Sequence, residues 1–210
     1  MTALIAWGAL ALQLGLTLRS VVAGGRSIAM GIVIYLGYFT ILTNILVAVA
    51  LTAPLVAPAS SLGRFFTRPV AATGVAMPIA VVCVVYHLLL REIWDPEGWQ
   101  LVADLALHYV VPVLFVASWW LAVRKDGLGW ADLPKWMLYP AGYLAYMLLR
   151  GAAIGHYPYP FLDARMLGLI RTLGNAALLL LGFAGAGVLF LTAARLGRTS
   201  AAVRGAPDPQ

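Results

Sequence analysis

Two largely apolar stretches of the sequence place polar side chains one helical turn apart. Thr40, Thr43 and Asn44 stand at positions i, i+3 and i+4, and Asp104 and His108 stand at i and i+4. In a helix, each set lies on one face. A threonine hydroxyl becomes a nucleophile when a neighbouring base removes its proton, and histidine is the usual base. We therefore predict that Thr40 and His108 form a nucleophile and base pair, with Asp104 orienting the imidazole.

Further polar side chains lie inside or at the ends of apolar runs, namely His87, Arg150, His156, Arg171 and Asn175. Ionisable residues in membrane segments usually face a protein interior or a watery cavity. Arg171 and Asn175 repeat the i and i+4 spacing, and with Asn44 they are candidates for stabilising an oxyanion or holding a fatty carboxylate. Purely structural explanations stand beside these roles, because His87 can mark the membrane interface and Arg150 can extend to the surface.

The sequence lacks the motifs that are typical of several other chemistries. The sequence has neither a G-x-S-x-G elbow nor an H-E-x-x-H zinc motif. Cys83 is the only cysteine, so the chain has no internal disulfide or thiolate cluster, and no cofactor or metal is expected. Two alternatives to an enzyme stay open: a transporter or lipid-binding protein, although no internal repeat is apparent, and a haem or metal protein that uses His87 and His108.

The composition requires a membrane to surround these residues. Of 210 residues, 62% are apolar and only 10% are charged, which is too little polar surface to coat a water-soluble globule. The net charge of +6 comes from basic residues between the apolar segments, so the expected partners are anionic lipid headgroups and not nucleic acid. The composition gives no indication of the oligomeric state.

The apolar runs predict an all-α bundle of six transmembrane helices in one domain, residues 1–196. The runs are 3–23, 28–57, 70–90, 101–123, 136–155 and 168–194. The first run lacks a basic leading region and a clear cleavage site, so we expect it to stay as the first crossing. Residues 197–210 are polar and are predicted to form a disordered tail. Pro78, Pro112 and Pro140 each free a backbone carbonyl inside a run.

The loop charges predict that both termini are cytoplasmic. Basic residues are more numerous in the loops on the side of the termini, as the positive-inside rule requires. Acidic residues gather on the opposite, outer side; they are Glu92, Asp95, Glu97, Asp104 and Asp163. The second, fourth and sixth helices then run inward from the outer side. Their polar faces predict a shared cavity that opens outward.

Three stretches carry a family resemblance: YFTILTN, LHYVVP and, most specifically, YPYPFLD. They resemble the FAR-17a/AIG1-like family, including its bacterial Pr6Pr branch, over nearly the whole chain. The resemblance implies a multi-pass threonine hydrolase of fatty acid esters of hydroxy fatty acids, in a bacterial inner membrane. It assigns the catalytic threonine to Thr40 rather than Thr43, and the catalytic histidine to His108. The animal members have an acidic residue at Thr43 and an asparagine at Asp104, so the exact substrate does not transfer.

The YPYPFLD segment contributes further candidates, Tyr157, Tyr159 and Asp163. Two prolines and several aromatic rings suit either a lid over the outer mouth or a rigid belt at the membrane interface. Together these inferences predict a membrane-embedded lipid ester hydrolase. Thr40 attacks the ester carbonyl, His108 transfers the proton, and the apolar helices enclose the acyl chain.

Overall fold

A computed structural model describes the backbone of residues 1–204 and the side chains of residues 1–196, and every regular element in that part is helical. The helices are α1 (Thr2–Ala23), α2 (Ile28–Tyr35), α3 (Phe39–Val56), α4 (Ser61–Phe66), α5 (Pro69–Val85), α6 (Gly98–Leu105), α7 (Val111–Ala122), α8 (Leu133–Ile154), α9 (Ala164–Leu167) and α10 (Leu169–Arg204). Short 3-10 turns cover Arg91–Ile93, Trp130–Asp132 and Pro160–Leu162. Helix α10 continues through residues 197–204, the first eight residues of the tail predicted to be disordered. Residues 205–210 lie outside the described residues.

Five spans are long and apolar enough to cross a bilayer: Thr2–Ala23, Phe39–Val56, Pro69–Ile93, Gly98–Ala122 and Leu169–Leu196. Large apolar side chains such as Leu4, Leu121 and Ile170 are exposed on the outside of the bundle, where lipid rather than water suits them. An α-helical integral membrane protein follows. The sixth predicted crossing corresponds to α8, which has 22 residues but is not among these five, so six crossings stay a prediction.

The second predicted helix, 28–57, is wrong as a single helix. Helix α2 ends at Tyr35 and α3 begins at Phe39, with a break between them. Since no water reaches the bilayer core, backbone groups freed by such a break need partners from the protein. Arg150 Nη2 donates to Val33 O at 2.9 Å, and Tyr143 Oη donates to Gly37 O at 2.9 Å. Side chains of α8 therefore stabilise the break.

A glycine allows this arrangement. A Cβ atom on Gly37 would lie only 2.6 Å from Cζ of Arg150, so any larger residue would push the guanidinium away from the broken helix. On the other side of the break, the Phe39 N–H donates to Tyr159 Oη at 3.0 Å. The break leaves Thr40 in the first turn of α3, beside a tyrosine from a distant loop.

The fourth predicted helix contains a π-helical segment, Ala106–Val110, between α6 and α7. The Val111 N–H bonds to Ala106 O in the π pattern, so the next donor in that pattern would be Pro112, which has no N–H. Leu107 O therefore has no helical N–H donor, and Asn44 Nδ2 donates to it instead, at 3.1 Å. Pro112 and Asn44 together fix His108 within this segment against α3. A second π segment, Tyr86–Leu90, extends α5.

Helices α3 and α5 are the inner helices of the bundle. Helix α3 packs against α1 and α5, while α5 also packs against α7 and α10, and α8 packs against α10. The buried core includes Val47, Met77, Val111 and Met147, all with no exposed surface. These contacts bring α1, α3, α6 and the YPYPFLD segment together at the end of the bundle where α1 meets α2.

Candidate active site

Thr40 and His108 meet where α3 faces the π segment of the fourth crossing. Thr40 Oγ1 lies 3.2 Å from His108 Nε2, within hydrogen-bond distance. The residues are 68 positions apart in the chain, so the contact depends on helix packing. Thr40 is 8% exposed. The structure therefore brings together the two residues that the sequence pairs as nucleophile and base.

Asp104 completes a chain of three side chains. His108 Nδ1 lies 3.2 Å from Asp104 Oδ1 and 3.0 Å from the Asp104 backbone oxygen. Both neighbours are acceptors, so Nδ1 carries a proton and, in the neutral ring, Nε2 presents its lone pair to the Thr40 hydroxyl. This is the tautomer that a general base needs. The order of contacts, carboxylate to imidazole to hydroxyl, is that of a hydrolase triad.

Tyr86 is a further member of the site that sequence analysis missed. Its hydroxyl donates to Asp104 Oδ2, and its ring stacks on the His108 ring with the centroids 3.9 Å apart and the planes at 16°. Tyr86 thus holds both the carboxylate and the imidazole in place. Nothing in the spacing of Tyr86 distinguishes it from the aromatic residues of an ordinary packed helix.

The neighbours of Thr40 on α3 point to other partners. Thr43 Oγ1 bonds with Tyr139 Oη of α8 at 2.9 Å, away from His108. Asn44 Nδ2 donates to Thr40 O at 2.8 Å as well as to Leu107 O. Asn44 is therefore a buried clamp between α3 and the π segment, and its amide protons are not free to stabilise an oxyanion.

A cavity of about 470 Å³ opens above the triad. Thr40, Asp104 and His108 line its floor, where Asp104 is only 4% exposed. Ser20 and Trp94 line the opposite end and are exposed, so the cavity opens at the end of the bundle that carries the connection between α5 and α6. The volume and the apolar walls suit a small lipid or a similar ligand.

A second, smaller cavity of about 50 Å³ lies on the other side of Thr40. Its lining is apolar and comes from α5, α8 and α10, with Val82, Leu144 and Phe183 among its residues. Thr40 and Tyr159 line both cavities, whereas His108 lines only the larger one. The Thr40 hydroxyl thus stands at the junction between a partly polar space and an apolar one.

The YPYPFLD segment is anchored at several points. Tyr159 is buried, and its ring stacks on Phe161 with the planes at 13°. Asn175 Nδ2 of α10 donates to Phe161 O at 2.7 Å, and Asp163 caps α9 by accepting from the Arg165 N–H at 2.9 Å. These contacts favour the rigid belt over a mobile lid.

Tyr159 touches the triad from this segment. Burial raises the pKa of its phenol, while hydrogen bonds with the Thr40 side chain and with the backbone N–H groups of Thr40 and Phe39 lower it; burial has the larger effect. The phenol is therefore protonated at neutral pH. Its oxygen lies beside Thr40 and accepts from the backbone N–H of Phe39.

Other candidates from the sequence lie away from the triad and do not line either cavity. His87 is exposed and bonds with Tyr109 Oη at 3.1 Å. Arg171 is exposed on α10. The Tyr157 ring packs against Gly151 of α8, where a Cβ would come within 2.2 Å of it. The structure brings none of these residues to the site.

The contacts of Arg150 and His156 are also structural, and neither residue lines either cavity. Arg150 is buried rather than extended to the surface, and it donates to the backbone at Val33 and His156. Burial lowers the pKa of His156, and the charges of Arg150 and Arg26 lower it further, so His156 is held neutral. In the part of the chain that the structure describes, no group of three or more His, Cys, Asp or Glu side chains is placed to hold a metal ion.

The cavity contains four polar residues that sequence analysis did not select: Gln13, Thr17 and Ser20 on α1 and Gln100 on α6. The residues on α1 stand at i, i+4 and i+7, the same kind of spacing that distinguishes Thr40 and Asn44 on α3. Gln100 Nε2 donates to Gln13 Oε1 at 2.7 Å, and Gln13 Nε2 donates to Thr17 Oγ1 at 3.2 Å. The same spacing of polar residues was therefore present in the first apolar run of the sequence.

Comparison of the chain with protein-family models, with curated proteins and with solved structures gives no match. The geometry of the site and the motifs in the sequence are therefore the grounds on which a function is argued.

Proposed function

We propose that this protein is a membrane-embedded lipid ester hydrolase with a threonine nucleophile. One observation carries the proposal: Asp104, His108 and Thr40 form a hydrogen-bonded chain at the floor of a cavity in a membrane-spanning bundle. The donor and acceptor directions along that chain leave His108 Nε2 able to accept the threonine proton.

The reaction has two steps. Thr40 Oγ1 attacks the ester carbonyl while its proton passes to His108 Nε2; the tetrahedral intermediate then breaks its bond to the alcohol oxygen, which takes that proton and leaves. Water next attacks the acyl-threonine, its proton passes to His108, and the acid leaves as Thr40 regains its hydroxyl hydrogen. Asp104 holds the imidazole tautomer throughout, and Tyr86 holds Asp104.

The oxyanion needs donors beside Thr40. Asn44, Arg171 and Asn175 do not supply them, because Asn44 and Asn175 donate to backbone oxygens and Arg171 is exposed. Tyr159 is the better candidate, since its buried phenol interacts with Thr40 and lines both cavities. We assign it the role of oxyanion donor.

Changing Tyr159 to phenylalanine is expected to lower kcat about 100-fold, the usual effect of removing one oxyanion donor, while KM changes little. The matched control is Tyr157→Phe, two positions away in the same segment and outside the cavity, which keeps wild-type kinetics. Steady-state kinetics on a para-nitrophenyl ester measures both variants. Equal kcat in the two variants would remove Tyr159 from the mechanism.

The function itself is tested with purified protein in lipid vesicles. Para-nitrophenyl butyrate and a panel of fatty acyl esters, including fatty acid esters of hydroxy fatty acids, are incubated with wild-type protein and with Thr40→Val purified in parallel. We expect free acid to appear only with the wild type. Equal hydrolysis by both preparations would assign the activity to a contaminant or another residue and reject the proposal.

The proposal extends to family and location. Membership of the FAR-17a/AIG1-like family accounts for the YFTILTN, LHYVVP and YPYPFLD stretches. In a bacterial inner membrane with both termini cytoplasmic, the cavity would open toward the outer side and receive its acyl ester substrate from the surrounding lipid. No cofactor takes part in these steps.

A further inference from the structure

The two cavities separate the two halves of an ester, if the proposed hydrolase function is correct. His108 must return its proton to the oxygen of the departing alcohol, so the alcohol has to lie on the side of Thr40 where His108 is. His108 lines the cavity of about 470 Å³ and not the smaller one. The alcohol half therefore occupies the larger cavity, and the acyl carbons next to the carbonyl occupy the apolar one.

The wall of the larger cavity is rich in uncharged hydrogen-bonding groups. Gln13, Thr17 and Gln100 form a chain in which each amide donates one of its two N–H groups to the next side chain. This leaves the Gln100 Oε1 acceptor, the second N–H of each amide and the Thr17 hydroxyl proton for a ligand, with the Ser20 hydroxyl beside the mouth. Such a wall matches hydroxyl groups, which both donate and accept.

The residues that line the larger cavity disfavour an anionic ligand. None of its described lining residues is a lysine or an arginine, and the Asp104 carboxylate lies at its floor. The guanidinium of Arg150 lies behind Gly37 and donates to backbone oxygens there. A carboxylate or phosphate in this space would lose its hydration without gaining a cationic partner.

We propose that the leaving alcohol is uncharged and carries at least one free hydroxyl group, as in the glycerol of a partial glyceride. Cleavage of such a neutral ester places the hydroxyl among Gln13, Thr17 and Gln100 while the acyl chain leaves toward α5 and α10. This substrate class differs from the hydroxy fatty acid esters of the family resemblance, because their leaving alcohol carries a carboxylate.

Three esters test this proposal on the wild-type protein in vesicles. They share one acyl chain and a leaving alcohol of one length, and they differ only in its far end, which is a hydroxyl, a carboxylate or a trimethylammonium group. We expect kcat/KM for the hydroxyl ester to exceed that for the carboxylate ester about 100-fold, and to exceed that for the trimethylammonium ester. Equal or better hydrolysis of either charged ester would overturn the proposal while leaving the hydrolase function intact.

A para-nitrophenyl ester with the same acyl chain, measured in parallel, distinguishes failure of the substrate inference alone from failure of the hydrolase function. If it is also not hydrolysed, the hydrolase function fails and the substrate inference fails with it. Gln100→Leu should reduce the preference for hydroxyl over carboxylate from about 100-fold to about tenfold. Thr192→Val, on the exposed face of α10, is the control and is expected to keep the full preference. An unchanged preference in Gln100→Leu would overturn the role of the wall formed by Gln13, Thr17 and Gln100.

Inhibition of the wild-type protein by the free alcohols tests the same preference without a variant. A glycerol monoether is expected to inhibit at a concentration about 100-fold lower than a hydroxy acid of equal length. Stronger inhibition by the hydroxy acid would contradict the proposal.

Discussion

We expect replacement of Thr40 with valine to lower kcat of the proposed ester hydrolysis about 10⁴-fold or more, because the variant has no hydroxyl to attack the carbonyl. Valine keeps the shape of threonine, so the packing of α3 beside His108 is retained. The expected loss is measured with the para-nitrophenyl ester on purified protein, and wild-type thermal stability shows that the bundle is intact. Thr40→Ser retains a nucleophilic hydroxyl and is expected to keep measurable activity.

The matched control for this change is Thr43→Val. Thr43 lies one turn further along α3 and is fully buried. The substitution removes a comparable hydrogen bond, but the partner of the Thr43 hydroxyl is Tyr139 rather than His108. Loss of that bond costs about 1 kcal/mol of stability and leaves the triad in place. We expect activity within about fivefold of the wild type. Loss of activity in Thr43→Val with retention in Thr40→Val would reverse the assignment of the nucleophile.

Replacing His108 with alanine is the second change with a large expected effect. In the proposed mechanism this removes the base that activates Thr40 and the acid that protonates the leaving alcohol, so we expect kcat to fall about 10⁴-fold. Asp104→Asn leaves the His108 ring in place but permits the tautomer in which Nε2 carries the proton. We expect a fall in kcat that approaches that of His108→Ala. The measurement is single-turnover acylation by the para-nitrophenyl ester, which isolates the first step, in which His108 takes the threonine proton.

His87→Ala is the control for the second histidine of the membrane region. His87 is exposed beside Tyr109, outside both cavities, so its removal should leave kcat unchanged. If His87→Ala were as inactive as His108→Ala, a site that uses both histidines would replace the triad. An absorbance band between about 400 and 430 nm in the purified protein would point to haem in such a site.

The central pair of the site could be predicted because helical spacing and helix order brought the polar faces together and the family resemblance selected Thr40 over Thr43. Thr40, Asp104 and His108 lie on faces that turn inward, and the structure brings them within hydrogen-bond distance. The same argument failed for His87 and Arg171, since spacing along one helix does not tell which face meets the bundle and which meets lipid. That distinction depends on how α5 and α10 pack, which periodicity alone does not specify.

Features that depend on contacts between distant segments could not be predicted. The break between α2 and α3 exists because Arg150 and Tyr143, more than 100 positions away, bond its free carbonyls. These inward polar side chains lie on α8, which is not among the five spans apolar enough to cross a bilayer. The π segment around His108 likewise depends on Asn44 of another helix.

Covalent labelling of Thr40 tests the proposed mechanism most directly. A fluorophosphonate probe reacts with activated hydroxyl nucleophiles and forms a stable adduct, which peptide mass spectrometry assigns to one residue. We expect one adduct, on the peptide that contains Thr40, in wild-type protein and in Thr43→Val, and none in Thr40→Val or His108→Ala. An adduct on another residue, or equal labelling of Thr40→Val, would contradict the assignment of Thr40 as the nucleophile.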